Sequence, residues 1–366
     1  LIALTWITAS VGLVAVVFLA AQAGDVPGAT LSILFALLPL PLLLSVYWWL
    51  DRVEPEPLRY KFAAFVWGAV IAVVLAVLLE MAASELLHVD RDLLIAVVAP
   101  VVEESAKGLF LLLTLLRARR IIDGVLDGLV VSGLVAIGFA AVENIGYYAA
   151  SYFGMEDGAP QLTGPGGATV TFVVRGLFSP FAHPLFTSTI GIAMGLAARR
   201  RSRLLKTALI AAGAVLSIGL HALWNGSLVI SGPLGYLLVY LLLGGLLIVL
   251  GVLAIVWRQR QLATLAKSLW YVSERGWIDA GEVSYLVSFA RRRQARDYAR
   301  ARGGAAAAKA VKRYQRLATR LGFLHDQAML GIGPADAVAR TYAVLEEMGR
   351  MRPGLSLPPD PARRAW

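Results

Sequence analysis

Two adjacent carboxylates, Glu103 and Glu104, stand in the middle of an apolar run, Ala99-Pro100-Val101-Val102-Glu103-Glu104-Ser105-Ala106-Lys107-Gly108. A charge at the centre of a bilayer costs about 2.5–3.5 kcal/mol on insertion scales, so ionisable groups in such a run mark chemistry, transport or deliberate packing. Lys107 follows Glu103 by one helical turn on the same face, where the two can pair. Adjacent helical positions project roughly 100° apart, so Glu104 points elsewhere and takes a supporting part. Pro100 removes a backbone hydrogen bond just before the pair and invites a kink.

Further polar groups interrupt the next three apolar runs. Phe139-Ala140-Ala141-Val142-Glu143-Asn144 follows glycines 124, 128, 133 and 138, which permit close helix contact. His183-Pro184 interrupts the following run, with Arg175 nearer its outer end, and His221-Ala222-Leu223-Trp224-Asn225 the one after. His221 and Asn225 are a turn apart and face the same way. Counting ~1.5 Å per residue from the basic end of each run puts Glu103, His183 and His221 at ~20–22 Å, in one layer, and Glu143 higher, near ~30 Å. A carboxylate can take a proton from water, an imidazole can shuttle one, and an Asn amide can steady an oxyanion. Equally, two His and a Glu can hold zinc with a second Glu as base. Both schemes hydrolyse an amide with water, so the cofactor is open between a divalent metal such as zinc and none. Read from the residues alone, the same groups also suit a proton-coupled transporter or a scaffold whose buried charges fix packing.

The elements that must position these groups are membrane helices. Of 366 residues, 58% are hydrophobic, 16% are charged, and mean hydropathy is +0.70, against about 45–50% apolar and 25% charged in soluble domains. No cysteine is present, which excludes disulfides, thiolate nucleophiles and cysteine-based metal sites. Spans need about 20 apolar residues. Eight runs qualify, roughly 2–21, 30–50, 62–80, 92–116, 123–150, 171–198, 207–230 and 234–257. The first ends Ala20-Ala21-Gln22-Ala23, somewhat like a signal-peptidase site, but no basic segment precedes it and it reads as a span. The expected fold is all-α, a polytopic transmembrane bundle of about eight spans (residues 1–257) with a C-terminal helical unit (258–366).

Basic residues follow the even-numbered runs at Arg52, Arg59 and Lys61, at Arg117, Arg119 and Arg120, at Arg199, Arg200, Arg201 and Arg203, and at Arg258 and Arg260. The positive-inside rule then puts both termini in the cytoplasm and the chain in the cell membrane. The Gly-rich stretch 151–168 falls outside as a loop. From Arg258 onward there are 20 basic and 9 acidic residues, against 14 and 15 before it. This tail, with helical stretches such as 305–330 and a Pro-rich end at 353–361, reads as a basic solvated unit suited to anionic lipid, with no nucleic-acid motif.

In their order, Glu103-Glu104-x-x-Lys107, Phe139-x-x-x-Glu143, His183-Pro184 and His221-x-x-Trp224-Asn225 resemble the motifs of the PrsW family of intramembrane proteases. Asp51-Arg52-Val53-Glu54-Pro55-Glu56-Pro57 is similar to another hallmark of that family, and the resemblance covers about residues 40–230. The family is related to the type II CAAX prenyl endopeptidases and bacteriocin-immunity-related proteases, which show Glu-Glu-x-x-x-Arg and Phe-x-x-x-His. Here Lys107 replaces that Arg one position early and Glu143 stands where the wider clan has His. The resemblance implies cleavage of a membrane-anchored protein in a regulatory cascade, as of an anti-sigma factor. It implies Glu103 as general base, Glu104 as orienting or second acid, and His221 with Asn225 as oxyanion binders. His183 and Glu143 would complete the water site or, with His221, a metal shell, and Lys107 would support Glu103.

Overall fold

The computed structural model describes residues 26–154, 162–332 and 336–359. The first expected span lies outside these residues. The described part is helical: α1 (Val26–Leu37), α2 (Leu40–Leu50), α3 (Leu58–Leu87), α4 (Ala99–Arg117), α5 (Val125–Phe153), α6 (Gly164–Phe172), α7 (Ala182–Ala198), α8 (Arg203–Ile230), α9 (Gly232–Glu274), α10 (Ala280–Val287), α11 (Phe289–Leu330) and α12 (Ala337–Met351). The all-α polytopic expectation is met. Among the described residues, six helical stretches are long and apolar enough to cross a membrane: Val26–Leu50, Leu58–Leu87, Val125–Phe153, Gly164–Ala198, Arg203–Val229 and Gly232–Glu274. Helix α4 is not among them, because Glu103, Glu104 and Lys107 interrupt its apolar sequence. The chain divides into two compact units, residues 1–255 and 256–366, with the division inside α9.

Helix α5 is the axis of the first unit, buried from Leu126 to Ala141 without a break. A helix apolar all round is what a membrane bundle's interior requires. Its glycines let neighbouring backbones touch it. A Cβ on Gly128 would sit 2.0 Å from the Gly191 carbonyl of α7, and one on Gly138 would sit 2.0 Å from the Phe65 carbonyl of α3. Small residues at such contacts replace the hydrophobic drive that lipid cannot provide.

Three π turns interrupt the helices around the polar groups: Trp67–Ala72 within α3, Leu94–Val98 before α4 and Val173–Phe178 after α6. The turn at Leu94–Val98 carries the consequence of Pro100. Ala99 N–H bonds the Leu94 carbonyl in the i−5 register. The Ile95 carbonyl would take the next N–H, and proline has none. The Asn225 amide of α8 donates to it instead, at 3.1 Å. The span Gly164–Ala198 starts inside the Gly-rich stretch expected as loop, and it breaks at Ser179–Phe181 before His183.

The second unit buries Tyr285, Ala295, Ala299 and Val311 together in an apolar cluster. Helix α11 bends at Gly303 and Gly304, the latter at φ +66°, a conformation glycine adopts without strain. Ser288 and Asp279 cap α11 and α10.

Candidate active site

Lys107 is the hub of the polar centre. Its ammonium donates to Glu103 Oε2 at 3.0 Å, Glu104 Oε1 at 2.9 Å and His183 Nδ1 at 3.1 Å, and it lies 3.7 Å from the centroid of the Phe139 ring. All three ammonium donors are thereby used. The expected directional split of the glutamate pair does not occur, because one long lysine stem reaches the i−4 and i−3 carboxylates together. What separates the two glutamates is saturation. Glu104 is fully buried and accepts from Lys107 and His221 Nδ1 on Oε1 and from Thr187 Oγ1 on Oε2, at 2.8–3.0 Å, while the single proton of Ser217 Oγ is shared between Oε2 and the Phe186 carbonyl, each 2.8 Å away. Both of its oxygens are engaged. Glu103 bonds Lys107 through Oε2, and Oε1 has no hydrogen bond among the described residues.

These contacts fix the imidazoles. An ammonium can only donate, so His183 Nδ1 is the acceptor and its proton sits on Nε2, aimed at Glu143 Oε2 2.8 Å away. Glu104, paired with an ammonium, accepts from His221 Nδ1–H. His221 Nε2 then carries a free lone pair, 3.9 Å from Glu103 Oε2. The His221 ring is stacked on Phe186 (centroids 4.9 Å apart) and meets His183 edge-on at 5.1 Å.

Of the residues expected at the site, the structure brings Glu103, Glu104, Lys107, Glu143, His183 and His221 together. Glu143, which counting along the helices placed higher, bonds His183 directly at 2.8 Å. Asn225 donates through Nδ2 to the Ile95 carbonyl at 3.1 Å.

Several partners were not foreseen. Arg175 donates to Glu143 Oε2 and Asn144 Oδ1, each at 2.7 Å, and lies 3.7 Å over Tyr147. Arg175 on its π turn and His183 in the first turn of α7 converge on one carboxylate oxygen because the span breaks between them. Thr187 and Ser217 were legible in principle, since each lies one turn from a flagged histidine, at His183+4 and His221−4. Glu80 of α3 adds a fourth carboxylate within electrostatic reach of Glu103, Glu143 and Lys107. A cleft lined by Asn144, Arg175, Ser179, Pro180, His183 and Trp224 opens beside the centre.

Helices long and apolar enough to cross a membrane, packed around a buried carboxylate–histidine centre, define a polytopic membrane protein with ionisable groups inside its bundle. The sequence model of the PrsW family of intramembrane metalloproteases matches residues 56–257, and the chain belongs to that family. A curated relative, Protease PrsW of Clostridioides difficile (strain 630), is 33% identical over 124 residues, which is 31% of this chain and 50% of the relative. The chain thus spans about half the length of the curated relative it matches. No solved structure matches it.

The family's description names a metal. Ligand atoms of Glu103, Glu104, His183 and His221 lie within 4.8 Å of one another, a donor set of the kind zinc takes. Glu143, expected in a metal shell, is not in this group; it stands behind His183. Lys107 bonds three of the four donors, His183 has both ring nitrogens engaged and Glu104 both oxygens. As arranged, the residues do not fit a metal ion beside the ammonium.

Proposed function

We propose that the chain is an intramembrane endopeptidase that cleaves a membrane-anchored protein with water activated by Glu103. The observation that carries this reading is the pair of open lone pairs, Glu103 Oε1 and His221 Nε2, beside a Glu104 engaged at both oxygens. Glu103 takes a proton from water as its oxygen attacks the scissile carbonyl carbon. The carbonyl electron pair moves onto oxygen, and the fixed charge of Lys107 stabilises that oxyanion without reorganisation. Glu103 passes the proton to the leaving nitrogen as the C–N bond breaks. Glu104 holds Lys107 and His221 in place. Glu143 and Arg175 hold His183 in one tautomer. Asn225 acts at one remove, by holding the π turn that leads into α4.

The proposed substrate is a membrane-anchored protein in a regulatory cascade of the anti-sigma-factor kind, a reading supported by the match to the PrsW family. The basic loops favour a cell-membrane location with both termini cytoplasmic, and the basic second unit favours anionic lipid, at about 1 kcal/mol per residue near such a surface. The test is co-expression of candidate single-span substrates with wild type and Glu103→Gln. Loss of the base should lower cleavage about 10²–10⁴-fold with the protein still folded. Equal cleavage by both would sink the assignment.

A further inference from the structure

We propose that the Lys107 ammonium is the resident cation of this centre, standing where a metal ion would have to sit, and that removing it turns the centre into a metal site. The proposal does not depend on the chain being a peptidase, since its readout is bound metal.

Lys107 is fully buried and makes its three hydrogen bonds, at 2.9–3.1 Å, to atoms of Glu103, Glu104 and His183. The Phe139 ring closes a further side at 3.7 Å, where its face attracts positive charge. Zinc would need to lie about 2.0–2.2 Å from the same nitrogen and oxygen atoms. An ion there would fall inside the ammonium's own contact distance, and two like charges would share one desolvated space. The lysine and the ion are therefore alternatives.

Without the ammonium, lone pairs open at Glu103 Oε2, Glu104 Oε1 and His183 Nδ1, joining the one already open at His221 Nε2. These four residues are the group whose ligand atoms cluster within 4.8 Å. Both imidazoles are already oriented for coordination by carboxylates behind them. Glu143 holds His183 Nε2–H, and Glu104 Oε1 holds His221 Nδ1–H. A carboxylate behind a ligating histidine fixes its tautomer and raises its basicity. Glu104 Oε1 would serve both as ligand and as support, so Glu103 and the two histidines are the stronger part of the set.

The experiment equilibrates detergent-purified full-length wild type, Lys107→Ala, Lys107→Met and Lys107→Arg with zinc, removes the excess by gel filtration and measures metal per chain. Cobalt(II) is used in parallel for its visible absorption. Wild type and Lys107→Arg are expected to retain less than about a tenth of an equivalent. Lys107→Ala is expected to retain about one equivalent, to show tetrahedral cobalt bands and to unfold at higher temperature with zinc than without. Adding His221→Ala to Lys107→Ala should abolish this retention. Lys107→Met fills part of the space without charge and should bind less zinc than Lys107→Ala. Wild type retaining one equivalent that His221→Ala removes would overturn the proposal. So would a folded Lys107→Ala that binds no metal. If both uncharged variants fail to fold without zinc, rescue of folding by zinc supports the proposal, and failure of rescue counts against it.

Discussion

Two buried polar networks in this chain are built from similar groups and differ in how completely they close. In the second unit, Arg292 donates to the Leu286 carbonyl at 2.5 Å and to Thr319 at 2.7 Å. Gln315 donates to the carbonyls of Tyr285 and Arg292. Glu282 accepts from Tyr314 and Arg352, each at 2.7 Å, one on each oxygen. Each donor ends on a backbone carbonyl or a committed partner, as a network that only holds helices together should. In the membrane unit the same closure is carried out around Glu104 and withheld at Glu103 Oε1 and His221 Nε2. Burial does not distinguish the two networks; Glu103 Oε1, a carboxylate oxygen without a donor among the described residues, does. A site is marked by acceptors that a well-packed polar cluster leaves unused.

The comparison breaks most readily at Glu104. If it is the anchor rather than the reacting group, Glu104→Ala leaves the His221 Nδ1–H and the Thr187 hydroxyl without their acceptor and takes one of two carboxylates from Lys107. Removing one partner of a buried ion pair costs about 3–5 kcal/mol. Thermal unfolding in detergent should show a large loss for Glu104→Ala and little for Glu103→Gln. An alanine variant as stable as wild type but unable to cleave would instead give Glu104 a chemical role and erase the distinction.

The closed network makes a smaller and separable prediction. Glu282→Ala strands the Tyr314 hydroxyl and the Arg352 guanidinium, at about 1–3 kcal/mol for the unsatisfied buried group. The expected result is lower protection from limited proteolysis in the second unit with cleavage activity unchanged. Activity falling in parallel would mean that the second unit takes part in the reaction.

Much of this was legible in the sequence because it is local. Hydropathy marks the spans, and the Glu103–Lys107 pair follows from helical spacing. The faces carrying His183 and His221 could have yielded Thr187 and Ser217 by the same rule. What could not be read depends on approach between distant segments. Arg175 and Glu143 are 32 residues apart and meet across two different helical spans. Asn225 was read beside His221 by spacing, yet its partner was set by a π turn whose trace in the sequence is Pro100. The glutamate pair was divided by direction, and the long lysine stem cancelled that division.

The smallest effect lies in a third region, where the acids are neither closed nor catalytic. In the loop between α2 and α3, Asp51 accepts the Glu56 N–H at 3.1 Å and pairs with Lys61. Glu56 is buried, and burial pushes its carboxyl up to about 9. The charges of Asp123 and Asp51 push the same way, against Lys61 and Arg120. Burial likewise raises Asp51 and, with Asp123, Asp127 and Glu56 nearby, Glu54, which Arg199 opposes. The native state therefore keeps a proton on Glu56 that the unfolded chain gives up near its ordinary value of 4.5. Stability from this group is complete below that value and is lost as pH rises through about 9. Unfolding temperature in detergent should fall between pH 6 and pH 9. Glu56→Gln should make the fall shallower without removing it, because Glu54 and Asp51 titrate in the same sense. Identical slopes for wild type and variant would mean that the loop opens to water before the bundle unfolds, and that its acids do not report on the fold.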